Sequence, residues 1–147
     1  MQPADMDEIM ARHYAAEAAH DLEALMATLV DGVEHDVVGH PTPVLHDPAA
    51  IRARYAELFA DLGDERVEPM RRLYGSDFIV DEAMITARAT GMMLGIPGNN
   101  RQVTFRLMHV CEFRDGGISR ENVWMDVAAL MQQLTAPQPA VEQAAAH

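Results

Sequence analysis

The sequence is poor in cysteine, in basic residues and in long apolar runs, and each shortage excludes a class of protein. Cys111 is the only cysteine among 147 residues, so no disulfide can form within the chain. Eleven basic residues stand against 23 acidic ones, and the net charge of −12 disfavours binding to nucleic acids or anionic lipids. No apolar run approaches the roughly 18 residues of a membrane-spanning helix, and the N-terminus is acidic, unlike a secretion signal. These features predict a cytoplasmic protein with neither nucleic-acid nor membrane partners.

The composition nevertheless supports a folded core. Hydrophobic residues make up 49% of the chain, and the length suits one domain. We expect this domain to span residues 1–134. Residues 135–147 have no periodic apolar face, so they are predicted to form a flexible tail.

The first half of the chain has the pattern of helices. Apolar residues at spacings of three and four predict a helix over about residues 5–20, and Asp21 can cap a second one that ends near Gly32. Asp47 followed by Pro48 is a strong start for a third helix, which the pattern extends to Gly63. Near the end of the chain, Asp126 can cap a last helix.

The second half alternates apolar and polar residues, which is typical of strands. Four candidate strands lie between residues 66 and 125, separated by glycine-rich turns, and they predict an antiparallel meander. Helices followed by a meander indicate an α+β domain in which a curved antiparallel sheet wraps the N-terminal helices. Such a sheet can close a cavity for a small apolar ligand.

The turn Asp115-Gly116-Gly117 predicts which residues face each other in the last hairpin. A three-residue loop would pair His109 with Val123 and Leu107 with Met125. Glu121 would then share the apolar inner face, and Trp124 would lie on the outer face. A two-residue loop would shift the pairing and exchange the faces, so this register remains open at the level of sequence.

Residues 33–47 contain three histidines beside a carboxylate. His35 and Asp36 must point to opposite faces of a strand, so only one of them can enter the interior, and the sequence leaves both alternatives open. The spacing of His35, His40 and His46 across a proline-rich loop matches no compact metal site, so we predict no metal there. His40 is expected to line the mouth of the cavity. Asp81 and Glu82, at the start of a strand, are expected to be solvated.

Five segments are informative about the family: M-A-R-H-Y, D-L-E-A-L, E-H-D-V-V-G, D-P-A-A-I-R-A-R-Y and H-V-C-E-F-R-D-G-G-I-S-R-E-N-V-W-M-D-V-A-A-L-M-Q-Q-L. Through them residues 5–134 resemble the nuclear transport factor 2-like superfamily, a cone-shaped α+β fold. The last segment is most similar to the SnoaL-like polyketide cyclase branch. The resemblance implies a cone-shaped roll, no cofactor and a homodimer, whose interface we expect at Trp124.

The resemblance also implies candidate catalytic residues. Carried over from ketosteroid isomerase, the first-helix tyrosine falls at His13 or Tyr14, the catalytic aspartate at Asp36, and the oxyanion-hole acid at His109. The acid–base aspartate of the SnoaL-like cyclases falls at Val123, and Glu121 is the best substitute for it. The remaining residues expected to line the pocket are His13, His40, Tyr55, Leu107 and Met125.

The function predicted from these residues is acid–base catalysis on a small apolar carbonyl or polycyclic compound, as in an isomerase, dehydratase or cyclase. Asp36 or His35 would be the base, with His109 and Tyr14 positioning the substrate oxygen. The alternative is a domain of the same fold that binds a ligand or partner without chemistry. Epoxide hydrolysis is disfavoured, because the aspartate–arginine–aspartate set that it needs is not evident around Arg88 or Arg106.

Overall fold

The computed structural model describes residues 1–137. Of the tail predicted for residues 135–147, the part from residue 138 onward lies outside the described residues. Eleven helices and strands occur in the described part of the chain, with helices mainly at its two ends and strands between them.

Four helices lie where the apolar spacing predicts them. They are α1 (Pro3–Ala18), α2 (Leu22–Met26), α3 (Pro48–Asp61) and α4 (Val127–Thr135). The carboxylates of Asp21, Asp47 and Asp126 cap the last three, each accepting a bond of 2.9–3.0 Å from the main-chain N–H three residues later. The second helix is shorter than predicted, because the next strand begins at Leu29. Within residues 1–137, no helix is both long enough and apolar enough to cross a membrane.

The main sheet has five strands: β1 (Leu29–Val38), β2 (Leu62–Tyr74), β3 (Phe78–Ala89), β6 (Arg101–Arg114) and β7 (Gly117–Met125). Their order across the sheet is β1-β7-β6-β3-β2. A separate small hairpin consists of β4 (Met92–Met93) and β5 (Ile96–Pro97). The expectation of a purely antiparallel sheet is wrong in one respect, since β1 pairs with β7 in parallel. The long chain between these two strands supplies the crossover that parallel pairing requires.

The core lies between the helices and one face of the sheet, here called the inner face. At one end α1 packs against β3, β6 and β7, and at the other α4 packs against β3 and β6. The third helix packs Ile51 and Tyr55 against Leu25 and Val33. Two helices, α1 and α3, therefore bring side chains to the middle of the inner face.

The last hairpin has the predicted strand register, but its loop is shorter than predicted and one strand contains a bulge. Asp115 and Gly116 form a two-residue loop with φ of 53° and 77°, closed by Arg114 and Gly117, so the predicted three-residue loop is wrong. A bulge then offsets the shorter loop. Phe113 pairs with Ile118 and Glu112 with Arg120, so one residue, Ser119, is left over.

Beyond the bulge the pairing is the predicted one. His109 faces Val123 and Leu107 faces Met125, which confirms the register. Glu121, buried at 1% exposure, thus lies on the inner face.

Gly39 offers a test of how closely the end of β1 approaches α4. Its φ is 87°, and a Cβ at this position would lie 2.7 Å from Cγ2 of Val127. Gly95 has a similar φ of 78°, but a Cβ there would meet nothing within 4 Å. We expect Gly95→Ala to lower the free energy of unfolding by about 1–2 kcal/mol through backbone strain alone. Gly39→Ala should lose about 1–3 kcal/mol more through overpacking.

Urea-induced unfolding of the two variants measures this difference directly. Equal losses for Gly39→Ala and Gly95→Ala would contradict the close approach of β1 and α4.

Candidate functional site

The centre of the candidate site is the buried carboxylate of Glu121 on β7. A charge in the interior is costly unless neighbouring groups compensate it. The phenol of Tyr55, on α3, donates a short hydrogen bond to Oε2 of Glu121. Three imidazoles surround the same carboxylate, so one buried acid gathers four polar side chains.

The three histidines come from three different elements. Nε2 of His13, on α1, lies 3.5 Å from Oε1 of Glu121, and Nε2 of His109, on β6, lies 3.7 Å from the same oxygen. Nε2 of His35, on β1, lies 3.9 Å from Oε2. Their side chains are 0%, 12% and 5% exposed, respectively. His109 is therefore the most accessible of the three.

His13 is fixed by a threonine behind it. The hydroxyl of Thr28 donates to the carbonyl of Leu25 at 2.6 Å, so its oxygen accepts from Nδ1 of His13 at 2.8 Å. Nδ1 thus carries a proton, and Nε2 points toward Glu121. Burial works to lower the pKa of His13, but the charge and contact of Glu121, together with the charge of Glu17, outweigh burial and raise that pKa above its usual value.

The contact between His13 and Glu121 also shifts the pKa of the carboxylate. Burial works to raise the pKa of Glu121, but the neighbouring imidazoles, His13 above all, outweigh it and hold the pKa below its usual value. Glu121 is thus ionised in the interior.

A second network lies on the other side of His109. The phenol of Tyr14 donates to Oδ2 of Asp81 at 3.0 Å, and its oxygen lies 3.2 Å from Nδ1 of His109. Because the phenol has one proton and Asp81 can only accept, Nδ1–H of His109 must donate to Tyr14. Arg72 in turn binds Oδ2 of Asp81 at 2.5 Å and Asp7 at 2.6 Å. The network therefore orients His109 with Nε2 toward the interior.

Two of the histidines are neutral near pH 7. Burial lowers the pKa of His109 and of His35, more than the charge of Glu121 raises it. Burial also raises the pKa of the Tyr14 phenol, which keeps its proton for Asp81. A neutral imidazole beside a carboxylate can accept a proton, because the cation that forms is stabilised by the negative charge.

Glu17 adds a second carboxyl to the cluster. It stands one helical turn after His13 on α1 and is half-buried. Burial raises the pKa of Glu17 to about 7, with the charge of His13 opposing the rise and that of Glu121 adding to it. Among residues 1–137, one group of three potential metal ligands has donor atoms within 4.8 Å of one another: His13, Glu17 and Glu121.

The structure brings most of the predicted site residues together. Those at the cluster are His13, Tyr14, His35, Tyr55, His109 and Glu121. Val123 is buried next to them on β7, and Leu107 and Met125 pack farther along the inner face near α4.

Two predicted residues do not join the cluster. Of the alternatives left open for β1, His35 enters the interior and Asp36 does not, because neighbours on a strand point to opposite faces. Oδ2 of Asp36 accepts from Asn122 at 2.9 Å on the outer face. His40 follows β1 in a loop, where its Nδ1 accepts from the main-chain N–H of Thr42 at 3.1 Å.

Sequence reasoning missed three members of the site. Asp81 was expected in solvent, but it is 7% exposed and bound by Tyr14 and Arg72. Its partner Arg72 lies directly opposite it on β2. Glu17 could have been found from its spacing of four residues from His13, which places both side chains on one helix face. Asp81 and Arg72 gave no such signal, since their pairing depends on the register between two strands.

Two surface depressions lie to the side of this cluster. One, of about 450 Å³, runs between α1 and α2 and is lined by alanines together with Arg12, Asp21 and Thr28. The other, of about 370 Å³, lies beside the start of β1 and the last hairpin. Thr28, which holds His13, is the link between the first depression and the cluster.

Solved structures share this fold at low sequence identity. A protein described as a SnoaL-like polyketide cyclase, from Jannaschia sp. CCS1, superimposes with a TM-score of 0.82 at 20% identity, covering 94% of this chain and 98% of its own. TsrD from Streptomyces laurentii gives 0.79 at 23% identity, covering 93% and 99%. An epoxide hydrolase of the LEH-like type from M. tuberculosis gives 0.69 at 16%, covering 89% and 90%. These likenesses confirm the cone-shaped fold predicted from the sequence, a fold that carries different activities.

Sequence comparison places the chain more narrowly. A search of curated protein sequences found no match. The family model for SnoaL-like polyketide cyclases matches residues 8–134, which is most of the chain. The protein therefore belongs to the SnoaL-like polyketide cyclase family.

Proposed function

We propose that the protein is an acid–base catalyst that moves a proton next to the carbonyl group of a small, largely apolar substrate. The observation that carries this proposal is the position of His109, which lies between the hydrogen-bonded pair Tyr14–Asp81 on one side and the carboxylate of Glu121 on the other. Its Nδ1–H is held by Tyr14, and its Nε2 lies 3.7 Å from the ionised Glu121. The family and the inner face lined by apolar side chains support a carbonyl or polycyclic compound as the substrate.

Each residue has a distinct part in this chemistry. Neutral His109 accepts a proton from the carbon beside the carbonyl, and Glu121 stabilises the imidazolium that forms. Returning the proton to another carbon completes an isomerisation, and delivering it to a departing hydroxyl completes a dehydration. Tyr14 has no proton left for a substrate, because it donates to Asp81. Tyr14 and Asp81 are therefore positioning residues, which replaces the earlier expectation that Tyr14 binds the substrate oxygen.

The first test uses the proton transfer that isomerisation, dehydration and aldol cyclisation have in common. With a panel of cyclic and polycyclic ketones in D₂O, we expect the protein to catalyse exchange of the hydrogens beside the carbonyl, followed by proton NMR. His109→Gln should slow the exchange about 10²- to 10⁴-fold, the usual share of general acid–base catalysis. His46→Gln is the matched control, because His46 is exposed in the loop before α3.

Exchange at the same rate in His109→Gln and His46→Gln would contradict the role of His109. Binding of a ketone without any exchange in the wild-type protein would favour the alternative, a domain that binds ligands without chemistry.

A second test concerns the positioning residues. Nitrogen NMR of the wild-type imidazoles should show His109 as the tautomer with its proton on Nδ1, because Tyr14 accepts from that atom. In Tyr14→Phe and Asp81→Asn this tautomer should lose population, and kcat should fall by about fivefold with little change in KM, since about 1 kcal/mol of hydrogen bonding to His109 is lost.

Glu82→Gln is the control for the second test, because Glu82 lies beside Asp81 but pairs with Arg106 on the outer face. If Asp81→Asn left the tautomer of His109 unchanged, Asp81 would not orient His109 through Tyr14.

We further infer that the protein is a homodimer that pairs through the outer face of the sheet. The strand register places an apolar group there, centred on Trp124, which is 47% exposed. Its other members are Leu73, Val80, Met84, Met108 and Val110. The ion pair of Arg106 with Glu82 lies within this group, since Glu82 stands between Val80 and Met84 on β3. The pair of Arg120 with Glu34 lies at its edge, and such a mixture of apolar and charged side chains is usual in protein interfaces.

Light scattering after size-exclusion chromatography tests the dimer. The wild-type protein is expected at twice the mass of the 16.2 kDa chain, and Trp124→Glu should shift it to the monomer. Val67→Glu is the control, because Val67 is 55% exposed but lies on the opposite side of the sheet from Trp124. A wild-type monomer at micromolar concentration would overturn the proposal.

A further inference from the structure

Three side chains beside the proposed catalytic histidine have the arrangement of an ion site. Donor atoms of His13, Glu17 and Glu121 lie within 4.8 Å of one another. In a four-coordinate zinc site with bonds of about 2.1 Å, neighbouring ligand atoms are about 3.4 Å apart. Nε2 of His13 and Oε1 of Glu121 are already 3.5 Å apart. The carboxylate of Glu17, which is half-buried, supplies the third donor atom of the group.

His13 is prepared to act as a ligand through Nε2. Its Nδ1–H donates to Thr28, whose own proton is committed to the carbonyl of Leu25. This support fixes the ring and leaves Nε2 directed at Glu121, the same role that hydrogen-bonded partners play behind metal-binding histidines.

Nε2 of His13 is also a buried polar atom without a hydrogen-bond partner. The residue is 0% exposed, and among the described residues this nitrogen is one of two buried side-chain polar atoms that make no hydrogen bond. Such an atom in a native interior needs a compensating partner. Oε1 of Glu121, 3.5 Å away, compensates this nitrogen by its charge, but it lies beyond the range of about 2.7–3.2 Å that is usual for a hydrogen bond.

The two oxygens of Glu121 have different surroundings. Tyr55 donates its proton to Oε2, and that hydrogen bond fixes the carboxylate. Oε1 receives no such bond and faces His13 and His109. One oxygen therefore holds the side chain in place while the other remains available to an ion.

Glu17 completes the set because it follows His13 by four residues on α1. Residues at this spacing project from the same side of a helix, one turn apart. Two ligands thus come from one helix and the third from β7, which packs against it. A divalent cation would neutralise the two carboxylates and displace the Nε2 proton of His13, whose neutral imidazole would then be the nitrogen ligand.

We propose that His13, Glu17 and Glu121 bind one divalent transition-metal ion, with Zn²⁺ as the best match for one imidazole and two carboxylates. The fourth position would be open to water or to an oxygen of a bound molecule. This proposal goes beyond the acid–base role of His109 and does not depend on it.

Metal binding to the untagged, full-length protein tests the site. After dialysis against chelator, titration calorimetry with ZnCl₂ and metal analysis after gel filtration should both give one Zn²⁺ per chain. His13→Gln and Glu17→Gln should each weaken binding at least 100-fold. Thr28→Val, which removes the support behind His13, should weaken it about 10- to 100-fold.

Two controls separate this site from general binding by surface groups. His46→Gln and Glu57→Gln remove an exposed imidazole and an exposed carboxylate, and both variants should bind Zn²⁺ as the wild type does. His109→Gln should also keep the ion, so a failure of the proposed catalysis and a failure of the metal site give different results.

A second measurement covers the case in which His13→Gln fails to fold. Glu17 is half-buried at the edge of the cluster, so Glu17→Gln should keep the fold. Zn²⁺ should raise the melting temperature of the wild type and not that of folded Glu17→Gln. No stoichiometric binding by the wild type, or equal affinity in the wild type and Glu17→Gln, would overturn the proposal and leave His13 and Glu121 as a buried ion pair only.

Discussion

The burial of the Glu121 carboxylate is the constraint on which the rest of the interior depends. A charge removed from water must be matched by donors and positive charge, and the cost is large when either is missing. Here the compensating groups come from α1, α3, β1 and β6, with Tyr55 and His13 foremost. The four elements that pack around β7 are therefore tied to one point by polar contacts as well as by apolar packing.

Two of the three imidazoles around this carboxylate, those of His13 and His109, are oriented in the same way. A hydroxyl oxygen, from Thr28 or from Tyr14, accepts the proton on Nδ1, so that Nε2 is directed at Glu121. The outcomes differ because the surroundings differ. His13 is fully buried against the carboxylate and has a raised pKa, whereas burial lowers the pKa of His109. Chemically identical side chains can thus take different parts, with His109 suited to receive a proton and His13 to stabilise charge or bind an ion.

Much of the fold could be predicted from local features. The capping aspartates marked three of the helix starts, and alternation marked the four long strands from β2 onward. The hairpin shows a limit of such reasoning, because the correct pairing of His109 with Val123 arises from a shorter loop plus a bulge at Ser119. Bulges depend on packing over the whole strand, which explains why the turn sequence did not reveal this one.

For the site, the sequence by itself determined that His35 and Asp36 lie on opposite faces, and that His13 and Glu17 share a helix face, since both facts follow from the periods of strands and helices. Only the tertiary structure decided that His35 is the inner residue, that Asp81 is buried under Arg72, and that Glu121 meets three histidines. These contacts join residues that lie far apart in the chain, in the case of His13 and Glu121 more than 100 positions. Their contacts depend on strand register and helix packing. Both are determined by the interactions of the whole core, and no short segment of the sequence specifies them.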